Sequence, residues 1–556
     1  MNGAQWLVES LRRRGVERVF ALCGNGLKPF LDACVDLEMP IVDVRNEQSA
    51  AYMADVWARM TGRLGVVAVS AGPGHTNAIT GVANAYWDGA PVLLISGSAD
   101  GSSRGLGQFQ ELDQVSMVAP VCKYATRVDR VERLEHEADQ AIAATISGRP
   151  GPAHLTIPAD VLSAPMPTRP VDSLRGAGPP PARVDQTAPA DAALVRDAVE
   201  ALAHADRPLM IVGNGAAYAN AGDVLRAFAA RTHVPLLSNM WSRGCVETHW
   251  DEYVGTTFGG GTNGAYAALA AADVLLVIGA TLDFRTGYAR PPAVADSARI
   301  VRIDADAGEL SKPVEPDIGI VADARSALAQ MLAEADGHTW SHEAWLAEVR
   351  GMRTRLLDRW EPRGVRDSLP LTSLQLCRAL GPFLDEDVTF LVDGGNIGRW
   401  ANMLLWNRHP GHWVTCGASG VIGWGLAGAV AAKMARPDHP VLLLSGDGSA
   451  GFTLAEIETA IRFGTPYVAV VAHDGAWGIE ADSRPPDRRA GTVLGELRFD
   501  RVAQALGGEG VYIESAEELA PAIRRGLAAD TVTFIHVPTE MGGIGYIDRQ
   551  YDAAGA

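Results

Sequence analysis

Long apolar runs are missing from this chain. Across 556 residues no hydrophobic stretch approaches the roughly 18–20 residues a helix needs to cross a bilayer, so no membrane-spanning role is expected. A secretory leader is not expected either, because Leu11-Arg12-Arg13-Arg14 interrupts any apolar core near the N-terminus; the segment reads as an amphipathic helix and the protein as cytoplasmic. Cysteine is scarce. Cys23, Cys34, Cys122, Cys245, Cys377 and Cys416 show no C-x-x-C spacing, which argues against a disulfide framework or zinc and for buried free thiols. His409, His412 and Cys416 come nearest to a metal cluster, but no second ligand pair accompanies them. Positive charge is in deficit as well. With 48 Lys and Arg against 66 Asp and Glu the net charge is −18, which disfavours nucleic acid and anionic lipid, since both demand clustered basic side chains.

What is present reads as a multidomain α/β protein. Hydrophobic content of 47% with 21% charged residues is ordinary for a globular chain, and the length suits about three domains of ~100–200 residues. Short β-rich runs such as Val66–Val69 and Val92–Ile95 alternate with helical stretches, the pattern of a parallel sheet covered on both faces. Thr389–Val392, Val441–Leu444 and Val468–Val471 repeat that plan near the C-terminus. A middle block holds Leu209–Val212 before Gly213-Asn214-Gly215, Val274–Ile278 before Gly279, and Val301–Asp306. It lacks the third glycine of a dinucleotide fingerprint. The Pro-, Gly- and Ala-rich stretch Ser163–Pro189 reads as a linker, and Asp336–Leu369 as a charged helical connection without a strand.

The chemistry concentrates where apolar runs end. Val441-Leu442-Leu443-Leu444-Ser445 empties into Gly446-Asp447-Gly448-Ser449, and a second run stops at His473-Asp474-Gly475. Between them Leu454–Phe463 reads as an amphipathic helix, so strand, glycine turn, helix and strand form one crossover with both carboxylates at one sheet edge. Glycines let backbone close on a bulky anion, and a carboxylate supplies the hard oxygen that magnesium-bridged phosphate requires. By itself a Gly-Asp-Gly tripeptide is also an ordinary tight turn. The spacing of 27 (474 minus 447), however, resembles the thiamine diphosphate motif of the acetolactate synthase and pyruvate decarboxylase superfamily. Three further segments, in order, resemble that superfamily: Arg45–Asp55 around Glu47, Ser70–Asn77 with its glycine-proline-glycine loop, and Gly151–Val161 at the end of the first domain.

The resemblance implies three domains, each a mainly parallel sheet flanked by helices. Their expected limits are 1–165 (pyrimidine-binding), 189–340 (central) and 369–556 (diphosphate-binding), with linkers at 166–188 and 341–368. It also implies thiamine diphosphate and Mg2+ as cofactors. Glu47 is then the residue that touches the aminopyrimidine ring and favours the proton shift that activates the cofactor. Ile422, in Gly420-Val421-Ile422-Gly423, matches the apolar wedge that folds the cofactor, though core packing would use the same residue. Gly446, Asp447, Gly448 and Ser449 meet the diphosphate. Magnesium would take Asp447, Asp474, the Ala476 carbonyl, two diphosphate oxygens and water. Most relatives carry Asn-Asn where this chain has His473-Asp474, which adds negative charge beside the diphosphate.

For substrate handling, Gly105–Gln114 resembles a glutamine-bearing segment of acetolactate synthase, benzaldehyde lyase and oxalyl-CoA decarboxylase, with Gln110 as the match. His75 is the nearest spare acid or base, and Arg63, Arg104 and Lys123 fall in segments that approach the cofactor in the family. Asp283–Gly287 partly resembles a flavin-contacting segment, so FAD is allowed but not expected. The histidine pair of pyruvate decarboxylase has no counterpart near Asp88-Gly89-Ala90, which favours decarboxylation of a 2-oxoacid with carboligation. Cleavage of a 2-hydroxyacyl or oxalyl coenzyme A thioester is the alternative, suggested by Ser96–Asp100 and Glu111–Gln114, and a non-catalytic regulatory homologue is the alternative of another class. The partners implied are a small 2-oxoacid or acyl substrate and a second copy of the chain, as homodimer or homotetramer.

Overall fold

The computed structural model describes residues 1–167, 189–242, 245–246, 249–257, 264–360 and 368–542. Three parallel sheets follow one another along the chain, each of six strands flanked by helices, as the alternating pattern predicts. The first contains β1 (Val19–Leu22), β2 (Ile41–Asp43), β3 (Gly65–Val69), β4 (Val92–Ser98), β5 (Tyr124–Arg127) and β6 (Ala153–Pro158) in the order β2-β1-β3-β4-β6-β5. The second contains β7 (Pro208–Val212), β8 (Leu236–Asn239), β9 (Tyr253–Thr257), β10 (Val274–Ile278), β11 (Arg299–Asp304) and β12 (Ile318–Val321) in the order β12-β11-β10-β7-β8-β9. The third contains β13 (Thr389–Asp393), β14 (His412–Thr415), β15 (Val441–Gly446), β16 (Val468–His473), β17 (Glu509–Tyr512) and β18 (Thr533–Pro538) in the order β14-β13-β15-β16-β18-β17.

Numbered within its own sheet, the third order repeats the first. The middle one differs, winding outward in two halves from the boundary between β7 and β10, which makes that boundary a topological switch point. Strands buried on both faces need continuous apolar runs, and Val66–Val69, Leu442–Leu444 and Val468–Val471 are fully buried.

One helix ties the first domain to the third. Glu47–Thr61 starts at Asn46, whose side chain accepts from the Gln48 amide, and ends at Gly62 with φ +68. Its alanine-rich sequence leaves a thin surface: Ala50, Ala51, Met53, Ala54 and Ala58 are fully buried. It packs against the helices Pro73–Asp88 and Trp424–Ala435. Approach is close enough that a Cβ on Gly81 would lie 2.4 Å from the Ala51 Cβ. A single apolar core therefore runs through both domains, from Tyr52, Val56 and Trp57 to Trp424, Leu426 and Val430.

Details depart from the sequence reading at the connections. The expected helix Leu454–Phe463 is shorter, Glu456–Arg462, because Asp447–Ala450 forms a helical turn of its own and the chain must turn again before the next. Residues 168–188 of the proline-rich linker and 361–367 of the second connection lie outside the described residues, while Glu343–Trp360 is one helix. All six cysteines are free, and Cys23 is exposed rather than buried. Among the described residues no helix is long and apolar enough to cross a membrane, and no group of three His, Cys, Asp or Glu side chains gathers as a metal cluster.

Candidate active site

At the carboxyl edge of the first sheet, the glycine-proline-glycine loop lies beside Glu47. Glu47 occupies the first turn of its helix, where a carboxylate suits the positive helix end, and it is 7% exposed. Asn77 holds it, donating from Nδ2 to Glu47 Oε2 at 2.9 Å. The loop is tight at Gly74, where a Cβ would sit 2.3 Å from Ser70 Oγ and 3.0 Å from Glu47 Oε1. The glycine-proline-glycine loop thus forms the wall beside the carboxylate. Gln110 packs against the start of the same loop: a Cβ on Gly72 would lie 2.9 Å from the Gln110 carbonyl oxygen. Its backbone has φ +62, a region that costs a non-glycine residue, and its Oε1 is buried without a hydrogen-bond partner among the described residues. Asn25 braces this loop by donating to the Phe109 carbonyl at 3.2 Å.

The equivalent edge of the third sheet carries carboxylates. Adjacent parallel strands β15 and β16 pair Gly446 with Ala472, which brings Asp447 and Asp474 to one sheet edge as their spacing predicts. Asp447 Oδ1 accepts from the Gly448 amide and Oδ2 from the Gly475 amide, both at 2.7 Å. Asp474 Oδ1 accepts from the Ala476 amide at 3.0 Å. Burial raises Asp447 to about 6, and burial together with repulsion from Asp447 raises Asp474 to about 7. A buried and a half-buried carboxyl group side by side form a donor set suited to a cation. The Ala476 carbonyl accepts no backbone hydrogen bond among the described residues, and Ala476 is 3% exposed. His473 is buried with Nε2 3.8 Å from Asp447 Oδ2.

Glycines keep the turns beside these carboxylates narrow. Gly394 has φ +112, and a Cβ on it would meet the Gly446 amide at 2.9 Å and Ser449 Oγ at 3.3 Å. A Cβ on Gly448 would strike the Trp477 ring at 2.5 Å. Asn396, which the sequence reading passed over, bonds Asp474 with its amide and leaves a buried Oδ1 without a partner among the described residues. Its signal was legible: Asp393-Gly394-Gly395-Asn396 follows an apolar strand just as Gly446–Ser449 does. Asp393 is also missed, and burial pushes it up to about 6 while its Oδ2 accepts from the Gly425 amide at 2.7 Å.

Other expected residues lie elsewhere. His75 is wholly enclosed, bonded through Nδ1 to Ser96 Oγ at 2.9 Å, with its ring 4.9 Å from that of His154. Burial pushes it down to about 4, so the imidazole is neutral. Beside it Gln114 accepts from the Gly72 amide and donates to the Gly97 carbonyl, stitching the glycine loop to the sheet. Ile422 is half-buried in the turn before Trp424. Arg63 pairs with Glu17 beyond the C-terminal end of the Glu47 helix, the end away from Glu47; Arg104 pairs with Asp129, and Lys123 donates to the Ser147 and Arg149 carbonyls.

A separate cavity of about 230 Å3 opens at the switch point of the middle sheet. Gly213, Asn214, Tyr218, Gly279, Asp304 and Arg285 line it, together with Asp88 of the first domain and Ala418 of the third.

Comparison with known proteins agrees with this geometry. Residues 1–117 match the thiamine pyrophosphate enzyme N-terminal TPP binding domain, 195–331 the central domain and 393–537 the C-terminal TPP binding domain of the same enzymes. A probable acetolactate synthase of Mycobacterium bovis is 30% identical over 548 residues, covering 97% of this chain and 96% of its own length. The human 2-hydroxyacyl-CoA lyase 2 is 30% identical over 560 residues, 93% of this chain and 86% of its own. With all three domains matched in order and full-length relatives at this identity, the chain belongs to the thiamine pyrophosphate enzymes.

Proposed function

We propose that this enzyme binds thiamine diphosphate through a divalent cation, Mg2+, and decarboxylates a 2-oxoacid, passing the acyl unit to an acceptor carbonyl. The observation that carries the reading is the pairing of buried Asp447 and half-buried Asp474 on one domain with the buried, amide-held Glu47 on the equivalent edge of the other. When bound, thiamine diphosphate supplies an acidic ring carbon that attacks a carbonyl and takes up the electron pair left by carbon dioxide. Asp447, Asp474 and the Ala476 carbonyl hold the cation, and Gly446, Gly448 and Ser449 lie against the phosphates. Glu47, with one oxygen fixed by Asn77, would hold a proton toward a ring nitrogen through the other. Ile422 would pack against the ring. Gln110, whose buried Oε1 has no hydrogen-bond partner among the described residues, would offer its side-chain amide to the substrate. His75, enclosed and neutral, holds the glycine loop to β4 rather than moving a proton.

Two chains make each site in this reading, so that Glu47 and Asp447 of one centre come from different copies of a homodimer or homotetramer. Exposed apolar side chains support a covering partner: Leu106 and Phe109 beside Gln110 are 79% and 76% exposed, and Phe452, Val493 and Leu494 lie open on the third domain. No flavin is required.

A second reading, cleavage of a 2-hydroxyacyl-CoA, draws on the cavity of the middle domain and on the 2-hydroxyacyl-CoA lyase relative. The retained Glu47 and Asp447 speak against a non-catalytic role. Purified enzyme with thiamine diphosphate and Mg2+ is offered pyruvate and, separately, a 2-hydroxyacyl-CoA. Carbon dioxide release with a ligated product supports the first reading; aldehyde release from the thioester alone replaces it with the second; no turnover of either, or of a panel of 2-oxoacids, overturns both.

A further inference from the structure

Three domains meet at one buried ion cluster that the proposed chemistry does not use. Arg59, near the end of the Glu47 helix, directs Nη1 to Asp88 Oδ2 at 3.1 Å, Asp55 Oδ2 at 3.4 Å and the Thr415 carbonyl at 2.7 Å. Asp55 Oδ2 also accepts from Trp424 Nε1 at 3.1 Å and Asn84 Nδ2 at 2.9 Å. From the middle domain, the Tyr218 hydroxyl and Asn214 amide donate to the Asp88 backbone carbonyl at 2.9 and 3.3 Å. Asp55 and Asp88 are 0% and 3% exposed. Such a cluster is a costly way to fill space, since burying charges roughly cancels the attraction between them and apolar side chains of like volume often serve stability better.

The cluster grips a particular segment, Gly417–Trp424. At its start the Ala418 amide donates to Asp88 Oδ1 at 3.4 Å. Gly417, at φ +76, leaves no slack: a Cβ there would fall 1.8 Å from Asp88 Oδ1. At its end Trp424 is held by Asp55, and the Gly423 carbonyl accepts from Thr453 Oγ1 at 2.8 Å. Between these anchors a Cβ on Gly420 would meet nothing within 4 Å. The segment is thus fastened at both ends, and Ser419, bonded to Asn84, ties it again between them, so Ile422 stands just before the second anchor.

We infer that Arg59, Asp88 and Asp55 are positioning residues which, by fixing both ends of Gly417–Trp424, set the height of Ile422 beneath the cofactor ring. The inference rests on the proposed role of Ile422. A charge shared by two buried carboxylates suits this task, because loss of either partner leaves a buried charge uncompensated and loosens the anchors it holds.

The test uses the loaded enzyme and the rate at which the reactive ring proton of bound thiamine diphosphate exchanges for deuterium, followed by NMR after quenching. Asp88→Asn keeps the shape and removes one charge; Gly417→Ala keeps the charges and displaces the segment. Each is measured alone and combined with Ile422→Ala. Asp88→Asn and Gly417→Ala should each slow exchange and kcat by about 10- to 100-fold, the range for a misplacement near 1 Å, while cofactor affinity moves less than about threefold. In the Ile422→Ala background neither should add a further loss, since all act through one side chain. Full additivity there, or normal exchange in both single variants while Ile422→Ala is slow, overturns the inference. Normal exchange in Ile422→Ala itself overturns the wedge reading instead. Should Asp88→Asn fail to fold, Gly417→Ala alone decides between these outcomes.

Discussion

In the first domain the glycine after the opening strand, Gly24, lies against the loop after the third strand, where a Cβ would come 2.5 Å from that of Ser70. In the third domain its counterpart Gly394 lies against Gly446 and Ser449 in the same way. One strand order thus presses the same two turns together twice. What differs is the residue each turn delivers. After the third strand of the sheet the first domain has Ser70-Ala71-Gly72, and the third has Asp447-Gly448-Ser449; the fourth strand of the first ends at Ser98 packed on Gly26, and that of the third leads into Asp474 bonded to Asn396. Topology sets where chemistry can be placed, and a few substitutions decide whether an edge favours a ring nitrogen or a metal and phosphate.

The largest effect should come from breaking the third-domain edge: Asp447→Ala removes the proposed primary oxygen ligand and should abolish thiamine diphosphate binding by calorimetry at fixed Mg2+. Retained binding would misplace the metal. The matching change on the first-domain edge should separate binding from turnover. Glu47→Gln should keep the fold and the cofactor yet lower kcat by about two to four orders of magnitude, and near-normal kcat would sink its assignment.

Protons sharpen the contrast further. Asp447 and Asp393 are raised to about 6 and Asp474 to about 7, and Asp88, buried beside Arg59 and Asp55, to about 7. Acids raised on folding stabilise the fold fully below their unfolded values near 4 and lose that contribution as pH climbs through the raised ones. The Tm of the protein without cofactor should therefore fall between about pH 4 and 7. Mg2+ with thiamine diphosphate should remove the part due to Asp447 and Asp474, and Asp88→Asn the part due to the first domain. A flat Tm without cofactor would refute the shared cause. The smallest effect is expected at Asp474→Asn, which keeps an oxygen and removes one negative charge beside the diphosphate, so cofactor affinity should hold or improve. A loss equal to that of Asp447→Ala would mean the charge at 474 is itself needed.

Much of this was legible because both edges are announced by apolar runs that stop at glycine. Val441–Leu444 and Val468–Val471 could be placed on neighbouring strands from spacing alone, and Asp447 and Asp474 followed. Glu47 needed resemblance, since its own segment reads as a plain helix start. The supporting residues were hidden for a physical reason. Asn77, Gln114, Asp393 and the Arg59–Asp88 pair act through contacts between segments remote in sequence, such as the 2.7 Å bond from Arg59 to Thr415. His75 shows the converse: an acid-base residue type in a promising loop, which the fold turns inward onto Ser96 and His154.

The helix Glu47–Thr61 begins with Glu47 and carries Arg59 twelve residues on. At about 1.5 Å per residue those two side chains ride roughly 18 Å apart on one rod, and about 3.6 residues per turn fix their relative bearing. Adding or deleting a single residue between them would swing one end by about 100° against the other. No compensating change at either end could restore both. Evolution can therefore lengthen the loops of this enzyme or recast its middle domain with some freedom, but the span from 47 to 59 is a gauge block whose length cannot drift.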